Sequence, residues 1–337
     1  MAAIAPNCLR LRRRGWHAHT VRRPSDEFPA GEAPTAAAPS RRALTAGDFA
    51  LFATVVLIWG LSWICVRFQV GVVAPEISGL WRFAMSAPLM FGIAWLRGER
   101  FRYDLATHAR FALLALTMFS INFVVVYYAA HFVTTGLIAT SFSLAALVNI
   151  AMGALILRAP IDPRVVLGGA FGVAGVALMF YPEVFGANFG TSALIGFGLS
   201  MICTVSFSLG NIVSVSLYKR GIPIFVISGY GMLYGSAFLT IEALIVGHPF
   251  IIEWTVPYIA SLLYLAILGS VVAFMCYFTL LNRIGPDRAG YVTVLQPVVA
   301  LMASTLIESY VWTLPAMIGI VAVIVGNVLV LRRPSSS

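Results

Sequence analysis

Charge is what this sequence has least of. Only 10% of its 337 residues are Asp, Glu, Lys or Arg, where a soluble chain carries about a quarter. With 60% of the residues hydrophobic, there is more apolar sequence than an aqueous fold needs to bury, so the implied solvent is lipid. Cysteine is scarce and scattered. Cys8, Cys65, Cys203 and Cys276 stand singly, three of them inside apolar segments, and form neither a metal-ligand spacing nor a disulfide framework. A membrane transferase would gather His, Asp or Cys at one membrane face. Only His131 lies at a junction between apolar segments, and no acid is close to it in sequence. The chain therefore reads as no enzyme, with no metal and no cofactor. No GxxxxGK[ST] loop occurs, which argues against ATP-driven pumping. The net charge of +9 does not indicate nucleic acid, because the basic residues occupy a tail and short loops instead of a face interleaved with aromatics.

Residues 1–47 stand apart. Arg10, Arg12, Arg13, Arg14, Arg22, Arg23, Arg41 and Arg42 lie among Ala, Pro and Ser with no apolar run. Such a segment buries too little to offset its ordering entropy. A disordered, Arg-rich cytoplasmic tail is expected; an organellar transit peptide and a start placed too far upstream are the alternatives. A secretory signal would need an apolar core after the basic start.

Ten apolar segments follow: Phe49–Val70, Ile77–Leu96, Phe111–Ala130, Phe132–Leu157, Val165–Tyr181, Ser192–Leu217, Phe225–Val246, Tyr258–Leu281, Ala289–Ile307 and Trp312–Leu331. Runs of roughly 20 apolar residues rising about 1.5 Å each match the hydrocarbon core of a bilayer. Continuous runs of this kind require helices, since a barrel is built from shorter alternating strands. Apart from Arg67 and Arg82, every Lys and Arg falls in a terminus or in alternate connections: Arg97, Arg100, Arg102 and Arg110, then Arg158 and Arg164, then Lys219 and Arg220, then Arg283 and Arg288, with Arg332 and Arg333 at the end. The positive-inside rule then places both termini in the cytoplasm.

Landmarks recur at a near-constant interval. Pro223 follows Pro75 by 148 residues, Tyr277-Phe278 follows Tyr127-Tyr128 by 150, and Gly319 and Gly326 follow Gly168 and Gly175 by 151. A common interval indicates duplication. Five helices per half is an odd number, so the second copy must be inverted. The expected fold is all-α and integral to the membrane, with ten transmembrane helices as two inverted five-helix repeats, residues 48–182 and 183–333. Inverted repeats are the architecture of alternating-access transporters.

Specific stretches then carry a resemblance. WGLSWICVR (Trp59–Arg67), GLWRFAMSAPL with Arg82, and RIGPDRAGYVTVLQPVVALMASTLIES with Pro297 and Glu308 are similar to the corresponding stretches of the drug/metabolite transporter superfamily, EamA type. The resemblance spans about residues 49–331. The first half departs from it, because no Pro or Glu occurs between Thr134 and Arg158 where the fourth helix should carry both. The resemblance implies a cavity lined by helices one, three, four, six, eight and nine, with helices five and ten peripheral. It also implies a secondary transporter of an amino acid or similar small metabolite, an exporter in a bacterial inner membrane. The alternatives are a phosphorylated-metabolite or drug exchanger of the same fold, and a signalling or assembly component that transports nothing. The partners expected are a small-molecule substrate and lipid, with no nucleic acid; a homodimer is compatible with the sequence.

Substrate-contact candidates are Trp59, Ser62 and Trp63 on helix one, Asn122 and Tyr127 on helix three, Ser141 on helix four, Asn211 on helix six, Tyr277 on helix eight, and Gln296 and Pro297 on helix nine. Pro297 lacks an N–H and would free a carbonyl one turn earlier, so a discontinuity is expected there. Gly168 and Gly172 would let helices approach closely. Ionisable groups inside a membrane are costly and point to function. Arg67 and Arg82 could clamp a carboxylate or phosphate, or else snorkel to headgroups or pair with Glu76. Glu242 could couple protons or be solvated at the interface.

Overall fold

Thr45 opens the first helix. Its hydroxyl accepts from Asp48 N at 3.3 Å while the Asp48 carboxylate accepts from Thr45 N at 3.0 Å, a reciprocal capping box. The computed structural model describes residues 44–145, 147, 148, 151, 152, 163–185, 191–284 and 291–331. The tail before Leu44, most of the later part of the fourth apolar segment, and Arg158, Arg288, Arg332 and Arg333 lie outside the described residues. The described residues belong to one unit, Ala43–Ser337.

Helix α1 is Ala46–Arg67 and α2 is Pro75–Leu96; a proline in the first turn sacrifices no helical bond. Asp104 accepts from Thr107 N and starts α3, Leu105–Ala129. That cap lies ahead of the apolar pattern, so α3 begins before Phe111 and takes Arg110 out of the connection and into the helix. Helix α4 runs over Thr135–Phe142, followed by a turn at Ser143 and Leu144. Next come α5 (Pro163–Phe185), α6 (Thr191–Tyr218) and α7 (Ile224–Val246). Helix α8 passes through Val256–Leu263, Tyr264–Val272 and Ala273–Ile284, and α9 (Tyr291–Ile307) and α10 (Leu314–Leu331) follow. No strand occurs among the described residues.

Among the described residues six helices are long and apolar enough to cross a membrane: α1, α2, α3, α6, α7, and α8 over Val256–Tyr277. Shorter apolar stretches, Val166–Pro182, Val292–Ile307 and Leu314–Leu329, fall in α5, α9 and α10. Apolar side chains point outward freely, Ile245 at 79% and Leu306 at 86% exposure. Faces of this kind suit lipid and would aggregate in water.

Helix packing is paired. α5 lies against α10, and α2 against α7; α1 packs on α8 and α9, while α6 packs on α3 and α4. The α5–α10 contact is a glycine seam. A methyl added at Gly175 would lie 2.6 Å from the Gly319 carbonyl oxygen, and one at Gly319 would lie 2.6 Å from the Gly175 carbonyl oxygen. Further along, a methyl at Gly326 would lie 2.5 Å from the Gly168 carbonyl oxygen. Only bare glycine backbone permits that approach.

Helices α3 and α8 share an irregularity. Both loosen to π winding, over Ala115–Ile121 and Tyr264–Val272, segments that start 149 residues apart. Wider winding displaces carbonyls from the usual ladder, and such segments concentrate at functional positions. Each π segment is served from a neighbouring helix: Trp59 Nε1 of α1 donates to Gly269 O at 3.1 Å, and Ser206 Oγ of α6 donates to Thr117 O at 2.7 Å. The discontinuity expected at Gln296-Pro297 is absent, because α9 runs unbroken past Pro297 as α2 does past Pro88. Neighbouring helices hold such prolines in place. Here Gly60 of α1 lets Val299 and the Gln296 carbonyl come close.

Candidate functional site

Arg82 is the one buried Lys or Arg among the described residues. It lies two turns into α2 with a relative exposure of 7%. Its Nε donates to Ser270 Oγ at 3.2 Å, and that hydroxyl donates in turn to Leu265 O at 2.9 Å, a five-residue step that π winding makes available. The guanidinium carbon stands 4.7 Å from the centre of the Phe123 ring and 5.5 Å from that of Phe83. The Tyr127 side chain lies beside the guanidinium, and its buried hydroxyl has no well-formed partner among the described residues beyond that approach.

The snorkelling and Glu76-pairing alternatives for Arg82 are both corrected by this geometry. Arg82 turns inward, onto the π segment of α8, which offers a hydroxyl acceptor within reach. Glu76 Oε2 instead lies 3.1 Å from His248 Nδ1, and its Oε1 accepts from Tyr128 OH at 3.3 Å. Among the described residues the ion pairs are Arg97–Glu99, His248–Glu76 and Arg283–Asp48. None includes Arg82.

Above Arg82, at the end of the bundle where α1 finishes, a cleft of about 310 Å³ is lined by Gln69, Val73, Tyr127, Tyr128, His131 and His248. Tyr127 therefore faces both the cleft and the buried guanidinium. The other candidates gather unevenly. Trp59 stands 5.1 Å from Tyr277 and 5.4 Å from Phe274, ring centre to ring centre. Ser62 donates to Ile58 O at 2.7 Å and lies against Gly269, close to Arg82. Asn122 is buried; its Nδ2 reaches Met118 O at 3.4 Å while its Oδ1 has no partner among the described residues. These residues surround the two π segments.

Trp63 packs edge-on against Phe142 at 4.8 Å, and Ser141 is buried with its hydroxyl on Leu137 O at 3.2 Å. Asn211 is half-buried on α6, as Gln296 is on α9, while Pro297 is buried. Arg67 is exposed in the last turn of α1 and stays apart. Glu242 of α7 is half-buried and accepts a hydrogen bond from Ser120 in the π segment of α3.

Two features escaped the sequence reading. Ser120 and Ser270 stand 150 residues apart, one in each π segment, and each engages a single charge: Ser120 on Glu242, Ser270 on Arg82. The interval was a readable signal; the partners were not. The second is a cap supplied by another helix. Glu308, just past α9, accepts from Thr135 N at 3.2 and 3.0 Å and from Thr135 Oγ1 at 2.9 Å. Ser304 joins the two, donating to Glu308 at 2.6 Å and accepting from Gly136 N at 2.9 Å. Helix α4 lacks a side-chain cap of its own, and this carboxylate meets the positive end of its dipole.

Comparison with known proteins gives consistent relatives. Protein PagO of Salmonella typhimurium (strain LT2) is 23% identical over 283 residues, covering 83% of this chain and 91% of that one. A probable amino-acid metabolite efflux pump of Escherichia coli (strain K12) is 24% identical over 278 residues, covering 77% and 86%. One protein crystal structure superposes with a TM-score of 0.61 at 15% identity, over 85% of this chain and 96% of that one, a likeness of fold alone. The EamA-like transporter family matches residues 46–181 and again residues 194–332. With both stretches matched, the chain belongs to the EamA-like transporter family and is an integral membrane transporter.

Proposed function

We propose that the chain is a secondary active transporter that exports a small metabolite, an amino acid or a similar molecule, by alternating access. Two inverted five-helix halves, residues 48–182 and 183–333, make ten crossings. The reading rests on the glycine seam. Gly168 meets Gly326 while Gly175 meets Gly319, so α5 and α10 run antiparallel and each presents the same patch to the other. Repeats related by a two-fold axis in the membrane plane would make that contact. The repeated π segments and the two family-matched stretches support the same duplication.

Export of an amino acid draws support from the Escherichia coli relative, and a bacterial inner membrane from the organisms of the relatives. The basic connections argue for cytoplasmic termini. Contact residues are proposed around the π segments: Trp59, Ser62, Asn122, Tyr127 and Tyr277, with Trp63, Ser141, Asn211, Gln296 and Pro297 along the same central helices.

Counterflow in proteoliposomes tests the reading, using labelled amino acids, phosphorylated metabolites and cationic drugs. Saturable exchange of an amino acid is expected. Exchange confined to a phosphorylated compound or a drug would move the substrate class, and reproducible absence of flux across the panel would overturn transport by this chain.

A further inference from the structure

We propose that Arg82, Tyr127 and Ser270 form a carboxylate-binding site, and that the transported molecule carries a carboxylate. The second clause rests on the transporter reading above; the binding site itself does not.

A guanidinium buried to this depth is among the most expensive groups a membrane protein can hold, and it normally has an anion beside it. Arg82 has none among the described residues. Ser270 engages Nε, on one edge of the planar group, and Phe123 and Phe83 offset part of the desolvation through their ring faces. The terminal nitrogens make no hydrogen bond to a described residue beyond the approach of Tyr127. That leaves the fork, the edge that binds two oxygens at once, available. Beside it stands the buried Tyr127 hydroxyl, whose oxygen approaches the guanidinium and whose O–H has no well-formed acceptor among the described residues. Two under-used donors thus lie together, Tyr127 in the lining of the cleft and Arg82 behind it, outside that lining. A planar oxyanion would satisfy both.

Charge count favours carboxylate over phosphate. No second Lys or Arg among the described residues contacts this cluster, and Arg67 is exposed at the end of α1. One cation balances a monoanion and leaves a phosphate dianion under-neutralised. The rings packed around the guanidinium, Phe83, Phe123 and Tyr127, suit a carboxylate with an apolar body.

The test uses the full-length chain purified in detergent. Probes are benzoate and isobutyrate, their neutral amides benzamide and isobutyramide, and inorganic phosphate. Thermal unfolding and tryptophan fluorescence are followed as each is titrated, since a ligand bound only by the folded state raises its stability. The carboxylates are expected to raise the transition of the wild type and the amides to leave it unchanged. Arg82→Gln should weaken carboxylate binding about 30-fold or more. Arg82→Lys should retain part of the binding, while Tyr127→Phe and Ser270→Ala should weaken it a few-fold. Circular dichroism and gel filtration confirm that each variant is folded.

Four outcomes overturn the site. They are a folded Arg82→Gln that binds as wild type, equal shifts by acid and amide, a shift by phosphate alone, or no shift of the wild type by either carboxylate. Flux separates the two proposals. Carboxylate binding without any flux sinks transport and leaves the site standing, whereas flux indifferent to Arg82→Gln sinks the claim that the transported molecule's carboxylate binds there and leaves transport standing.

Discussion

Gly175 and Gly319 touch backbone to backbone, and each fills the space a side chain on the other would need. A methyl on either lands 2.6 Å from the opposite carbonyl oxygen. Real β-carbons do not approach that closely, so any side chain here pushes α5 and α10 apart. Gly175→Ala and Gly319→Ala should each destabilise by about 1–3 kcal/mol, the usual cost of overpacking. Gly92→Ala and Gly198→Ala, where nothing lies within 4 Å, are the controls and should be neutral or slightly stabilising. Unfolding in mixed micelles measures the difference, and equal behaviour of all four would remove the seam from the stability of the fold.

Glu308→Ala should cost about 1–2 kcal/mol, as loss of a helix cap does. Thr135 would lose its hydrogen-bond acceptor, and Ser304, the acceptor of Gly136, would lose the carboxylate that orients it, so both amides should exchange faster while the rest of the bundle stays protected. Glu308→Gln keeps an acceptor and should lose less. Unchanged exchange at both amides in Glu308→Ala would show that the cap is not formed in solution.

The π segments make a paired prediction. Trp59→Phe removes the donor to Gly269, and Ser206→Ala removes the donor to Thr117. Each should cost about 0.6–2 kcal/mol, the range of hydrogen bonds between membrane helices. Because those carbonyls lie in the central helices, flux should fall in both variants at normal membrane insertion. Wild-type flux in the two would reduce the bonds to structural glue.

Gln296→Ala should lower flux while leaving insertion and stability near wild type, because its side chain is only half-buried and no described hydrogen bond is lost with it. Wild-type flux at normal expression would take Gln296 out of the site.

Asp104 gives a pH dependence outside the membrane. Its hydrogen bonds with Thr107 hold the carboxyl below its ordinary value of 3.8. A depressed folded-state value means that the cap stabilises α3 above the unfolded value and is lost as pH falls through the folded one. Wild type should lose thermal stability on acidification through that window, while Asp104→Asn, which caps without a charge, should show a shallower acid limb. Parallel acid limbs would place the sensitivity elsewhere.

Much of the fold was legible, and the reasons are physical. Lipid demands long uninterrupted apolar helices, so the segments from Phe49 to Leu331 announce themselves by length and by the charges between them. Helix ends were less visible, as at Asp104, where a polar cap carries α3 beyond its apolar stretch. The π segments were invisible, because a few residues of looser winding leave no mark on a pattern apolar on every side. Pro297 misled for a related reason: the sequence shows a missing N–H but not the neighbours that steady the helix around it. Arg82 was readable as a residue and not as a direction, since snorkelling and inward burial fit the same letters. Glu308 met the same limit, its partner Thr135 lying 173 residues away.

The cap on α4 exists at one end only. Between Thr134 and Arg158 there is no glutamate to return the service to α9. A carrier cycling between two faces would then be lopsided. The conformer that joins α4 to α9 at the Glu308 end gains about 1–2 kcal/mol, roughly a 5–30-fold difference in occupancy at rest. Such a bias cannot drive net flux, which only gradients do. It would set where the empty carrier idles, and so make half-saturation different on the two sides of the membrane. In a carrier of that kind Glu308 would act as a kinetic rectifier of the idle step.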